Sequence, residues 1–173
     1  ASAGLVSDPA PTPPTPIATK PPRVVAVLQA RMGSTRLPGK VLADVAGKPM
    51  LERILERVRP ARRVDQLMVA TTRRPEDDAV ARLAERLGIA CYRGADEDCL
   101  DRCYEAARHA RAEVVVRLTG DNPLVEADFV DWVVAQFLDA DPPADYVDST
   151  ASKTFPLGLS VEVCTADALA QAW

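Results

Sequence analysis

Val24 to Leu28 reads Val-Val-Ala-Val-Leu, an apolar run without the polar alternation of a half-exposed strand. Such a run suits a strand buried on both faces, as in a parallel sheet covered by helices. The rest of the chain repeats this demand. Gln66 to Thr71, Ile89 to Tyr92, Glu113 to Leu118, Asp145 to Val147 and Leu159 to Val163 are further strand candidates. Between them, apolar residues recur at helical spacing, as in Met50, Leu51, Ile54, Leu55 and Val58, and again in Phe129, Val130, Val133, Val134 and Phe137. Val80, Leu83 and Leu87 mark a helix that Pro75 opens and Gly88 stops, and Leu100, Cys103, Tyr104 and Ala107 mark another. Pro60 should end the first helix, and Ala166 begins the last. Strand and helix alternating in this way predict an α/β domain of three layers, α/β/α, with a mainly parallel sheet.

The domain should span residues 23–173. Residues 1–22 hold seven of the fifteen prolines, including the run Pro-Ala-Pro-Thr-Pro-Pro-Thr-Pro, and predict an extended, mobile arm. No apolar stretch follows a basic start as in a secretory signal, and none is long enough to span a bilayer. Four cysteines without a Cys-x-x-Cys pair, beside one histidine, argue against a structural zinc site or a disulfide framework and suit a reducing cytoplasm. Cys99 and Cys103, one turn apart, read as buried thiols on a helix, and His109 as a surface residue near a helix end. A Ser-His-Asp triad has little to stand on.

Residues 20–74 carry thirteen Lys or Arg against four Asp or Glu, while residues 75–173 carry eight against twenty. The basic half could attract an anion. Arg53, Arg57, Arg59, Arg62 and Arg63 follow a helical pattern with no interleaved aromatic residue, which suits a solvated face better than a nucleic-acid surface.

Gln29 to Leu42 reads Gln-Ala-Arg-Met-Gly-Ser-Thr-Arg-Leu-Pro-Gly-Lys-Val-Leu and leaves the first buried strand at its carboxyl end. Ligands of open α/β sheets bind at that end. Arg31, Arg36 and Lys40 supply positive charge, Gly33 and Gly39 let the backbone approach an anion, and Ser34 adds a hydroxyl, so the stretch has the chemistry of a polyphosphate loop. A solvated basic loop is the competing reading. The order Gly-x-x-x-x-Gly-Lys-Ser/Thr is absent, as is Gly-x-Gly-x-x-Gly, so neither a P-loop nor a dinucleotide fingerprint is present.

Asp121 follows the strand that ends in Thr119-Gly120, and its carboxylate should emerge at the same sheet edge. Mg²⁺ binds through one or two carboxylates plus substrate phosphates, which suits this pairing of acid and basic loop. A turn-capping role for Asp121 is the alternative.

Residues 30–40 (Ala-Arg-Met-Gly-Ser-Thr-Arg-Leu-Pro-Gly-Lys), Gly47-Lys48-Pro49-Met50-Leu51, Ala70-Thr71, Arg93-Gly94 through Leu100-Asp101-Arg102, Arg117 to Leu124, Pro156-Leu157-Gly158 and Val161-Glu162-Val163 resemble the cytidylyltransferases that activate sugar acids. The spore coat polysaccharide type, related to the acylneuraminate and 3-deoxy-manno-octulosonate enzymes, is the branch most resembled. The resemblance implies a Rossmann-like nucleotide-diphospho-sugar transferase fold of the GT-A kind, CTP as substrate, Mg²⁺, an acidic acceptor such as a sugar acid, and a homodimer. It also implies that Arg31, Arg36 and Lys40 hold the triphosphate. Ala30, Gly33, Ser34, Thr71 and Thr119 would complete the nucleotide contacts, and Asp121 would bind the metal. Apart from the resemblance, residues from about Lys153 to Val163 are expected to line the acceptor pocket, with a solvated loop lysine as the competing reading of Lys153. Another nucleotide, a phosphonate acceptor, or a non-catalytic nucleotide-binding module are the competing functions.

Two departures stand out. Ser160 occupies the place where this branch often has aspartate, beside Glu162. The family's later Asp-Thr-Pro-Glu-Asp stretch, whose first aspartate is a second metal ligand, has no counterpart before Trp173. The expectation is therefore a fragment, a ligand supplied by a partner or solvent, or weakened catalysis.

Overall fold

The computed structural model describes residues 20–34, 36–151, 155–156 and 158–173. The arm assigned to residues 1–22 lies outside this range except for its last three residues. Strands β1 (Val24–Gln29), β4 (Gln66–Thr72), β5 (Ala90–Gly94) and β6 (Val114–Thr119) are mutually parallel. Two shorter strands, β7 (Tyr146–Asp148) and β8 (Glu162–Thr165), complete a six-stranded sheet in the order β5-β4-β1-β6-β8-β7. β8 runs antiparallel to β6, so the sheet is mixed at one edge and parallel through its centre.

β1 explains the sandwich. Val24, Ala26 and Leu28 face a core built with α1 (Met50–Val58), α2 (Asp78–Arg86) and α4 (Ala127–Leu138). Val25 and Val27 point to the other face, where α3 (Cys99–His109) and α5 (Ala166–Ala172) cover the sheet. Both sides being dry, the strand needs an apolar residue at every position. Each of its buried valines and its leucine contributes about 1.5–3 kcal/mol relative to exposure.

The helix boundaries follow local chemistry. The Asp98 side chain caps α3 by accepting from Asp101 N, and Gly88 leaves α2 with a positive φ of 65°. The helix expected from Pro75 onward divides into a 3-10 turn, Pro75–Asp77, followed by α2. β2 (Asp44–Val45) and β3 (Lys48–Pro49) form a small hairpin the periodicity did not suggest. Ala46 and Gly47 both take positive φ there, the requirement of a two-residue turn. The expected strand from Leu159 starts later, at Glu162. Ser149 Oγ accepts from Val161 N and donates to the Leu159 carbonyl, taking the place of ladder bonds ahead of β8. Among the described residues, no helix is long and apolar enough to cross a membrane.

The chain winds outward from β1 through β4 to β5, then returns to place β6 on the opposite side of β1. The carboxyl ends of β1 and β6 therefore flank the topological switch point, where a crevice opens in sheets of this kind.

Candidate functional site

At that switch point the two strand exits are bound together. Gly120 N donates to the Gln29 carbonyl at 2.8 Å, and Ala30 N donates to the Ala70 carbonyl at 3.1 Å. A Cβ at Gly120 would stand 3.1 Å from the Gln29 carbonyl oxygen, 3.2 Å from Ala30 Cβ and 3.3 Å from Val41 Cγ1. Glycine is thus favoured by the closeness of the two exits, where any side chain would be crowded.

Buried chemistry shapes the loop beyond Ala30. Asp77, 1% exposed at the start of α2, accepts from Met32 N at 2.7 Å and from the Thr72 hydroxyl. Gly39 N donates to the Met32 carbonyl at 2.9 Å, and Gly39 itself has a φ of 72°, which closes the loop and turns it into a short 3-10 segment at Lys40–Leu42.

The result is a cleft of about 270 Å³. Ala30, Arg31, Gly33, Ser34, Arg36, Lys40, Thr119 and Asp121, all expected from sequence, line it together. Thr71 does not. It lies in β4 at 0% exposure, one residue beyond Ala70, and its hydroxyl has no hydrogen-bond partner among the described residues. The inward alternation of β4 sends its side chain into the sandwich, so a direct border with a ligand in the cleft is not what this geometry offers.

Lys40 Nζ reaches Asp121 Oδ2 at 2.8 Å across the cleft, with side-chain exposures of 23% and 43%. The Lys40 ammonium, helped by the Thr119 hydroxyl, holds the Asp121 carboxyl below its ordinary range. Thr119 is itself oriented by Asn122 Nδ2 at 2.7 Å. Arg36 is exposed, and Arg31 donates only a long 3.3 Å bond to the Asp96 carbonyl. Neither guanidinium has a carboxylate partner among the described residues, so both can meet an anion in the cleft.

Asp121 offers one accessible, ionised carboxylate within a cationic cleft. That fits Mg²⁺ held by one protein carboxylate together with phosphate oxygens and water. It does not fit a metal caged by protein alone, since no group of three or more His, Cys, Asp or Glu suited to a metal exists among the described residues.

Several lining residues escaped sequence reasoning: Gln29, Cys99, Arg102 and Arg117. Arg117 left a signal, a charge inside the otherwise apolar β6. Its Nε donates to Gln29 Oε1 at 3.1 Å, and its other end pairs with Glu162. Gln29 in turn donates to the Cys99 carbonyl at 2.9 Å, fastening the β1 exit to the start of α3. Cys99 is exposed, contrary to the expectation of a buried thiol, while Cys103 one turn on is buried as expected. The basic residues of α1 and beyond are partly structural: Arg53 holds the Val45 and Ala46 carbonyls, and Arg57 those of Leu124 and Val125. Through Cys99 and Arg117 the cleft adjoins a second cavity of about 510 Å³, lined largely by apolar groups such as Leu100, Val115 and Leu169. Lys153 lies outside the described residues.

A mainly parallel, Rossmann-like α/β/α sandwich with a cationic cleft at its switch point is the architecture of the nucleotidyltransferase class. Comparison with known proteins narrows this. The chain belongs to the cytidylyltransferase family, whose model matches residues 25–173. It is 33% identical over 150 residues to the spore coat polysaccharide biosynthesis protein SpsF of Bacillus subtilis, covering 84% of this chain and 60% of that protein. It is 43% identical over 114 residues to 3-deoxy-manno-octulosonate cytidylyltransferase of Anaeromyxobacter dehalogenans, covering 64% of this chain and 46% of the relative. A solved cytidylyltransferase from Leptospira borgpetersenii superposes with a TM-score of 0.82 at 32% identity, over 86% of this chain and 63% of that one. The chain thus spans less than two thirds of the length of these relatives.

Proposed function

We propose that the cleft binds CTP and that the protein transfers CMP to a sugar acid or related acidic acceptor, releasing pyrophosphate, in surface polysaccharide or glycoconjugate synthesis. The observation that carries this reading is the convergence of Arg31, Arg36 and Lys40 from the β1 loop with Asp121 from the β6 exit around one cleft. The name of the 3-deoxy-manno-octulosonate cytidylyltransferase supports cytidylyl chemistry and an acidic acceptor, and that of SpsF supports a place in polysaccharide synthesis.

In this reading Arg31 and Arg36 clamp phosphate oxygens with planar forks, and the backbone at Gly33 permits close approach. Lys40 exchanges its contact with Asp121 for one with the triphosphate. Asp121 would hold a magnesium ion, whose charge would offset that of the phosphate oxygens. The acceptor oxygen attacks the α-phosphorus, the bond to the β-phosphate oxygen breaks, and pyrophosphate leaves. Little covalent chemistry falls to the protein; fixed charge and alignment carry the rate. Pyrophosphate release from CTP with magnesium and 3-deoxy-manno-octulosonate, against a panel of other acids, tests the assignment. Release that needs ATP or GTP instead of CTP contradicts it.

A further inference from the structure

Arg102 is the most deeply buried cation lining the cleft, at 3% exposure. It stands on α3, and its stem passes against β5 where Gly94 has no side chain: a Cβ there would lie 3.2 Å from Arg102 Cγ. Nη1 donates to the Ala95 carbonyl at 2.6 Å. Nε is buried and has no hydrogen-bond partner among the described residues.

Nearby acids do not neutralise it. Asp98 Oδ1 accepts from Asp101 N, Asp101 Oδ1 accepts from Trp173 Nε1, Asp96 accepts from Arg73 and Arg74, and Glu97 pairs with Arg74. Arg117, by contrast, already has Glu162. A buried guanidinium with one carbonyl and no counter-ion is costly unless something charged meets it. The cleft is the open side from which an anion can arrive.

We propose that Arg102 is an oxyanion-binding residue of the cleft, set on the α3 wall beside the cations of the β1 loop. This rests on reading the cleft as a nucleotide site. The oxyanion has two sources in that reading, a phosphate of the nucleotide or the carboxylate of the acidic acceptor. Both present planar or tetrahedral oxygens that a guanidinium edge can hold.

Arginine Nε–H NMR spectra of the parent chain read the group directly, with the Arg102 signal assigned by its loss in Arg102→Lys. Titration with pyrophosphate, with CTP plus magnesium, and with 3-deoxy-manno-octulosonate separates the two sources. The expected result is a saturable shift of the Arg102 signal with at least one probe, and about tenfold or greater weakening of that probe's binding in Arg102→Gln. A response to pyrophosphate assigns the phosphate source, and a response to the acid alone assigns the carboxylate. An Arg102 signal that stays fixed while calorimetry shows Lys40-dependent CTP binding overturns the inference and leaves the nucleotide reading standing. A shift with pyrophosphate in a chain that does not bind CTP supports the Arg102 site and contradicts the nucleotide reading. No response to any probe overturns the inference.

Discussion

Lys40 Nζ donates to Asp121 Oδ2 across 2.8 Å, joining the loop that leaves β1 to the loop that leaves β6. Both side chains keep part of their surface in the cleft, so the contact is exchangeable. Exposed pairs of this kind contribute about 0–1 kcal/mol to stability. Its interest is therefore functional: each partner holds the other in place until a ligand substitutes.

That exchange gives Asp121→Asn two opposite effects. Without a divalent cation, removing the carboxylate frees Lys40 and should tighten pyrophosphate binding a few-fold. With magnesium the same substitution should weaken CTP binding and lower pyrophosphate release, by about 3 kcal/mol of transition-state stabilisation, the scale of one preorganised electrostatic group. Calorimetry with and without magnesium, paired with a release assay, checks both signs.

The same pair fixes a pH window. The Asp121 carboxyl is held below its ordinary value of 3.8 by the Lys40 ammonium, so its contribution to stability is fully present above that ordinary value. It is lost as pH falls through the lowered one. The difference in thermal stability between the parent and Asp121→Asn should be constant from about pH 5 to about pH 8 and shrink only in stronger acid. Melting curves across that range decide it.

Asp77→Ala should disorganise the basic loop from beneath. It leaves the part-buried Met32 N without its acceptor and removes the acceptor of the buried Thr72 hydroxyl, which keeps only the bond it receives from Arg74 N. The expected cost is about 3 kcal/mol, or a fall in Tm of roughly 6–12 °C, with weakened pyrophosphate binding. Parental Tm with parental binding would show that the loop holds its shape without this carboxylate.

Gly120→Ala tests the closeness of the two strand exits. Crowding against Gln29, Ala30 and Val41 should cost about 1–3 kcal/mol and distort the cleft, since neither β1 nor β6 can yield without breaking their ladder. Differential scanning calorimetry and a CTP titration on the same preparation measure both consequences.

Thiol reactivity should separate the four cysteines. Cys99 is exposed in the cleft wall, whereas burial raises the Cys91 thiol, pushes that of Cys103 up to about 12 and that of Cys164 up to about 11. Iodoacetamide near pH 8 should modify Cys99 first, and bound CTP should slow that reaction. Peptide mapping by mass spectrometry reads the site.

The fold was legible because β1 is buried on both faces, a demand the sequence states in five consecutive apolar residues. The loop residues were legible for a related reason: cations, glycines and a hydroxyl at a strand exit have few uses in a core. Arg102 stands in a stretch that carries the family resemblance but shows no role there, because an arginine in an amphipathic helix normally marks the solvent face. Its stem packs beside Gly94, where a Cβ would crowd both Tyr92 and Arg102, and that pairing spans eight residues and two elements. Thr71 follows Ala70 in the chain but is fully buried in β4, a placement that adjacency in sequence does not reveal. The late start of β8 depends on Ser149, whose hydroxyl replaces backbone ladder bonds in a way no periodicity records.

The most direct test of the account is a calorimetric titration of the parent chain and Lys40→Ala with CTP in the presence of magnesium. CTP should bind the parent saturably and one to one, ATP and GTP should bind more weakly, and Lys40→Ala should lose at least about thirtyfold in affinity, the scale of a charge-assisted phosphate contact. Equal affinity in the two proteins, or no saturable binding by the parent, would contradict it.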